Sequence, residues 1–85
     1  MKFRIEITRT AEKQLKKLSS EAQKRISQAI LLLAEDAYPP GCKKMHGFDD
    51  TFRIRVGNYR IIYMVNDKTI VITVLKIGHR KEIYG

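Results

Sequence analysis

Residues 2 to 7 alternate polar and apolar, which places Phe3, Ile5 and Ile7 on one face of a first strand and leaves the other face charged. The period then lengthens. From Thr8 or Thr10 as an N-cap, Ala11, Leu15 and Leu18 fall at the i, i+4, i+7 spacing of a short amphipathic helix whose outer, solvated face carries Lys13, Lys16 and Lys17. Ser19 and Ser20 interrupt it, Ser20 and Gln23 offer a capping box, and Ala22, Ile26, Ala29, Ile30, Leu33 and Ala37 mark the buried stripe of a longer second helix. The run Tyr38, Pro39, Pro40, Gly41 ends this helical hairpin, since proline disfavours helical geometry in its predecessor and cannot donate a backbone hydrogen bond. A polar, glycine-containing loop is expected from there to about Asp50.

The remaining chain reads as three strands, Thr51 to Val56, Tyr59 to Val65 and Thr69 to Ile77, the last two joined by Asn66, Asp67 and Lys68. The order β-α-α-β-β-β predicts an α+β fold: an N-terminal strand, a helical hairpin and a C-terminal antiparallel three-strand meander in one sheet, with the helices on one face. The pattern leaves the place of the first strand open. Ile70 to Leu75 is apolar on both faces apart from Thr73, as expected of an interior strand. Gly57 and Asn58 make a two-residue hairpin loop, so Val56 should oppose Tyr59 and Arg55 should oppose Arg60. Phe52, Ile54, Val56, Tyr59, Ile61, Tyr63 and Val65 would then face the helices, and Arg53, Arg55, Arg60, Ile62 and Met64 the opposite side.

That register concentrates charge. Directly opposed like charges destabilise a strand pair, and arginine cannot escape by losing its proton, so an anion is expected between Arg55 and Arg60. The 85 residues suit one domain, 1–85, burying roughly 60% of the unfolded chain's surface. Hydrophobic residues at 44% are the composition of a folded protein. Seventeen Lys and Arg against nine Asp and Glu give a net charge of +8, which favours a polyanion or an acidic protein as partner. The single cysteine, Cys42, has no internal disulfide partner, and the amino terminus has no long apolar signal core, so a cytoplasmic protein without membrane insertion is expected.

After the last strand come Gly78, His79, Arg80, Lys81, Glu82, Ile83, Tyr84 and Gly85. His79, Arg80 and Tyr84 are expected to approach the face of Arg60. Arginine binds phosphate through two parallel hydrogen bonds and stabilises its charge, while histidine or tyrosine can move a proton or stack on a base. RNA carries its own nucleophile, the 2′-hydroxyl, so orienting that group and stabilising the phosphate oxygens suffices for cleavage. His46, Asp49, Asp50 and His79 have no recognised ligand spacing, and neither a metal nor another cofactor is expected.

The stretch 53 to 63, followed by an apolar strand and the stretch 78 to 84, resembles the RelE/ParE superfamily of type II toxin-antitoxin toxins, and the element order fits that fold along the whole chain. The resemblance implies a RelE-like, metal-independent endoribonuclease that cuts messenger RNA in the ribosomal A site. It implies as partner a cognate antitoxin with an acidic and apolar wrapping segment, and operator DNA reached through the antitoxin complex. On the same basis Arg55, Arg60, Arg80 and Tyr84 are assigned to catalysis and Arg53 and His46 to RNA binding; from the residues of the tail themselves His79 joins the catalytic candidates and Lys81 the RNA-binding ones. Arg60 matches the phosphate-binding arginine, Arg80 the arginine after the last strand and Tyr84 the C-terminal tyrosine. Arginine rather than lysine at 53 and 55 is a departure that leaves Tyr84 or His79 as the general base. The alternatives are a ParE-like gyrase poison that needs no catalytic groups, and a non-toxic member that binds only its antitoxin and operator.

Overall fold

In the computed structural model, which describes residues 2–79, these segments form one mixed five-stranded sheet with two helices against one face. The elements are β1 (Arg4–Ile7), α1 (Arg9–Lys16), α2 (Ser20–Glu35), β2 (Lys43–Lys44), β3 (Thr51–Val56), β4 (Tyr59–Asn66) and β5 (Val71–His79). The strand order is β1-β5-β4-β3-β2. β1 runs parallel to β5, and the other neighbours are antiparallel. β5 is thus interior, as its two-faced apolar run requires. The fifth strand is an addition to the expected four: Lys43 and Lys44 pair with Arg53 and Phe52 inside the segment expected to be loop. Two residues carry no readable period.

Thr8, not Thr10, caps α1, its Oγ1 accepting from the Ala11 amide at 3.1 Å. The second cap lies one residue earlier than the expected box: Ser19 Oγ accepts from the Ala22 amide at 3.2 Å. Gln23 instead donates its side-chain amide to the Leu18 carbonyl at 2.9 Å, tying the end of α1 to the start of α2. α2 also stops earlier than Pro39 demands. Asp36 is the C-cap, and its carboxylate accepts from the Tyr38 amide at 3.0 Å, an aspartate turn that competes with the helix.

Ile26, Ile30 and Leu33 of α2 meet Ile61, Tyr63 and Val65 of β4 and Ile72, Val74 and Ile77 of β5 in one core. Each such side chain contributes roughly 1.5–3 kcal/mol through burial. Tyr63 is wholly enclosed and donates its hydroxyl to the Ala37 carbonyl at 2.8 Å, so Ala37 joins the core from beyond the helix end. No helix among the described residues is long and apolar enough to cross a membrane.

Candidate functional site

The hairpin pairs as its loop length dictates, with Val56 against Tyr59, Arg55 against Arg60 and Arg53 against Ile62. Gly57, at φ 61°, takes the first central turn position, and the left-handed backbone there is what glycine permits without strain. Because side chains alternate across a strand, residues partnered across the sheet share a face. Ile54, Ile61 and Tyr63 lie in the core beneath the helices, which puts Arg53, Arg55, Arg60, Ile62 and Met64 on the face turned away from the helices.

Two rows cross this face. Lys43 partners Arg53, Arg53 partners Ile62, and Ile62 partners Lys76, so one row carries three cations around one isoleucine. The next row is Arg55, Arg60 and Gly78, about 6.6 Å farther along the strands. Arg55 and Lys76 are exposed and Arg53 is half-buried, whereas Arg60 is only 6% exposed. Burial strips water from a guanidinium and restricts its rotamers, so Arg60 holds a poorly solvated positive charge beside the exposed one of Arg55. Gly78 places no side chain opposite Arg60. Two opposed guanidinium groups can in general share the oxygens of one anion such as a phosphate, which relieves their cross-strand repulsion.

The expected convergence of His79 with Arg60 does not occur. Met64 partners Thr73 and Tyr63 partners Val74, but Ile62 partners Lys76, so Leu75 is an extra residue in β5. One inserted residue inverts the parity of every pair beyond it. His79 consequently partners Tyr59 rather than sharing the face of Arg60, and its ring meets that of Tyr59 edge-on at 5.9 Å. Side chains from α1 and its N-cap hold the irregularity: Thr8 Oγ1 donates to the Leu75 carbonyl at 3.0 Å, and Gln14 Oε1 accepts from the Ile77 amide at 2.7 Å.

His46 is exposed in the loop before β3, lining a shallow depression with Lys44, Met45, Gly47, Phe48 and Asp49. Arg80, Lys81 and Tyr84 lie outside the described residues. Among the described residues no group of three His, Cys, Asp or Glu is placed to hold a metal ion. The sequence reading missed Lys43 and Lys76, whose places on the cationic face follow only from β2 and from the inserted residue in β5.

Residues 5–84 match the family model described as the ParE toxin of the type II toxin-antitoxin system parDE. The fold is similar to the archaeal RelE-RelB complex from Pyrococcus horikoshii OT3, with a TM-score of 0.83 and 32% identity, covering 94% of this chain and 97% of that one. It is likewise similar to the RelB-RelE antitoxin-toxin complex from Methanococcus jannaschii, with a TM-score of 0.75 and 34% identity over 93% of this chain and 94% of that one. A more distant relative, the mRNA interferase toxin RelE of Escherichia coli K12, is 25% identical over 89 residues, spanning 100% of this chain and 93% of the relative.

Proposed function

Since the chain belongs to the RelE/ParE superfamily of type II toxin-antitoxin toxins, we propose that it is a messenger RNA endoribonuclease of the RelE kind, acting in the ribosomal A site. The observation that carries this reading is the opposed pair Arg55 and Arg60, one exposed and one buried, on the face of the sheet turned away from the helices. In the reaction the 2′-oxygen attacks the adjacent phosphorus as its proton leaves, the bond to the 5′-oxygen breaks, and that oxygen takes up a proton. The products are a 2′,3′-cyclic phosphate and a free 5′-hydroxyl. Arg55 and Arg60 neutralise the non-bridging oxygens, whose charge grows in the transition state. Arg53 and His46 bind flanking RNA.

The family resemblance supports a gripping and proton-donating role for Arg80 and orientation or activation of the 2′-hydroxyl by Tyr84, while Lys81, next to Arg80 in the sequence, would bind RNA through its charge. Surrounding arginines would lower a tyrosine's ordinary pKa of about 10 toward the working range. His79, facing Tyr59, has no part in this scheme. The RelE-RelB complexes among the similar structures support an antitoxin as partner. Its acidic and apolar segment would lie along the basic helices and the sheet edge.

The test is induction of the wild type and an Arg55→Ala variant in cells, followed by mapping of new 5′-hydroxyl ends on messenger RNA. Arg55 is exposed, so its removal leaves stability within about 0.5 kcal/mol, which a melting curve checks. In-frame cuts on translated messages that fall at least tenfold in the variant support the nuclease. The match to a ParE toxin model favours a second reading, a gyrase poison; arrest of DNA synthesis without RNA cuts would decide for it.

A further inference from the structure

Phe48 is 62% exposed, yet the turn that carries it is anchored on both sides. The Met45 amide donates to the Thr51 carbonyl at 2.7 Å and the Val65 amide to the Asp50 carbonyl at 2.9 Å. Within the turn the Phe48 amide donates to the Met45 carbonyl at 3.3 Å, and Thr51 Oγ1 to the Asp49 carbonyl at 3.1 Å. The ring is therefore presented in one place, and because it borders Met45, Ile62 and Leu75 it belongs to an apolar patch rather than standing as a lone exposed side chain. Beside it Met45, Thr51, Ile62, Leu75 and Lys76 complete a slot of about 170 Å³. The extra residue in β5 builds this slot, because it sets Leu75 beside Lys76 next to Ile62.

The slot is apolar in its walls and cationic at its rim. Ile62 belongs to the row of Lys43, Arg53 and Lys76, and the neighbouring row holds Arg55 and Arg60. Such a volume is below that of an ordinary small-molecule pocket and too small for a helix, but it accepts one flat ring. A ring with apolar faces, joined to an anion one sheet row away, is an unpaired nucleobase next to a phosphate. Exposed aromatic side chains among arginines and lysines are the common means of holding single-stranded RNA.

We propose that Phe48 is a stacking platform for the nucleobase of a nucleotide adjoining the scissile phosphate, and that the slot of Met45, Ile62 and Leu75 sets base preference around the cut. This inference rests on the nuclease reading above. The experiment maps 5′-hydroxyl ends in cells expressing wild type, Phe48→Ala, Phe48→Tyr and Phe48→Leu, alongside antitoxin binding and thermal melting of each purified protein. The expected result is a loss of about tenfold or more in cutting for the alanine variant, with a flattened base preference beside the cut. Tyrosine restores both, leucine restores neither, and all three melt like the wild type.

Cutting by Phe48→Ala at the wild-type rate and preference would overturn the platform while leaving the nuclease standing. Full rescue by leucine would reduce the contact to apolar packing and overturn the stacking. Unchanged cutting with weakened antitoxin binding would make the patch a protein-docking surface and overturn the inference. A wild type that makes no cuts would remove the nuclease reading and the platform together.

Discussion

Arg55 and Arg60 are chemically identical partners in one register pair, yet their surroundings give them different work. Arg60 is buried, so a lysine there keeps the charge but loses the planar fork; Arg60→Lys should lower RNA cutting at least tenfold in the end-mapping assay, whereas Arg55→Lys should cost less. Tyr63 is a second residue defined by burial. Enclosure raises its phenol pKa well above the ordinary value, because the charged form would be stripped of water. The folded state therefore holds this proton more tightly than the unfolded chain. The associated stability is fully present below about pH 10 and declines as pH rises from there toward the raised folded value, by at most about 1.4 kcal/mol per pH unit. Urea titrations from pH 9 to 11 should show a shallower alkaline decline for Tyr63→Phe. At pH 7 that variant should lose about 1–2 kcal/mol, because the Ala37 carbonyl is left without its donor.

Among the elements, α2 and the β3-β4 hairpin are where local sequence signals have measurable weight. Ser19 accepts from the Ala22 amide, and Ser19→Ala should cost about 1 kcal/mol in denaturant unfolding, while Ser20→Ala should cost little because Ser20 is already inside the helix. Gly57→Ala has space, with the Arg25 guanidinium 3.5 Å from the added carbon, but φ of 61° imposes a left-handed strain of about 1–2 kcal/mol. Unfolding of that variant at an unchanged m-value would report this strain directly. The β4-β5 connection explains why the last strand starts late: Asn66 Oδ1 accepts from both the Lys68 and Thr69 amides, and Ile70 sits at φ 59°. A β-branched residue in that region cannot belong to a regular strand, so β5 begins at Val71 although its apolar pattern begins earlier.

For the whole molecule, the net charge of +8 matters less than its distribution. The exposed ion pairs Lys2–Glu35, Arg4–Glu6 and Lys16–Glu12 contribute little to stability, whereas Lys43, Arg53, Arg55, Arg60 and Lys76 share one face of the sheet, the one turned away from the helices. Five such cations reaching phosphates would give binding of single-stranded RNA a slope of about −3.5 in log K against log salt. Fluorescence anisotropy over a salt series checks this, and a slope near zero would remove the face as a phosphate surface. Replacing Lys43 and Lys76 together should flatten the slope by about 1.4 while leaving melting unchanged, since both are exposed.

By itself the sequence determined what local chemistry dictates: two amphipathic helices, three strands of period two, and the pairing of Arg55 with Arg60, because a two-residue loop leaves the hairpin a single register. It also carried the family resemblance on which the catalytic assignments rest. Only the tertiary structure decided that β1 lies parallel to β5, that Lys43 and Lys44 extend the sheet, that Arg60 is buried and that His79 turns toward Tyr59. These outcomes depend on contacts between segments far apart in the chain. One inserted residue at Leu75, held by Thr8 and Gln14 from across the fold, reverses the side-chain parity that any reading of β5 alone would assume.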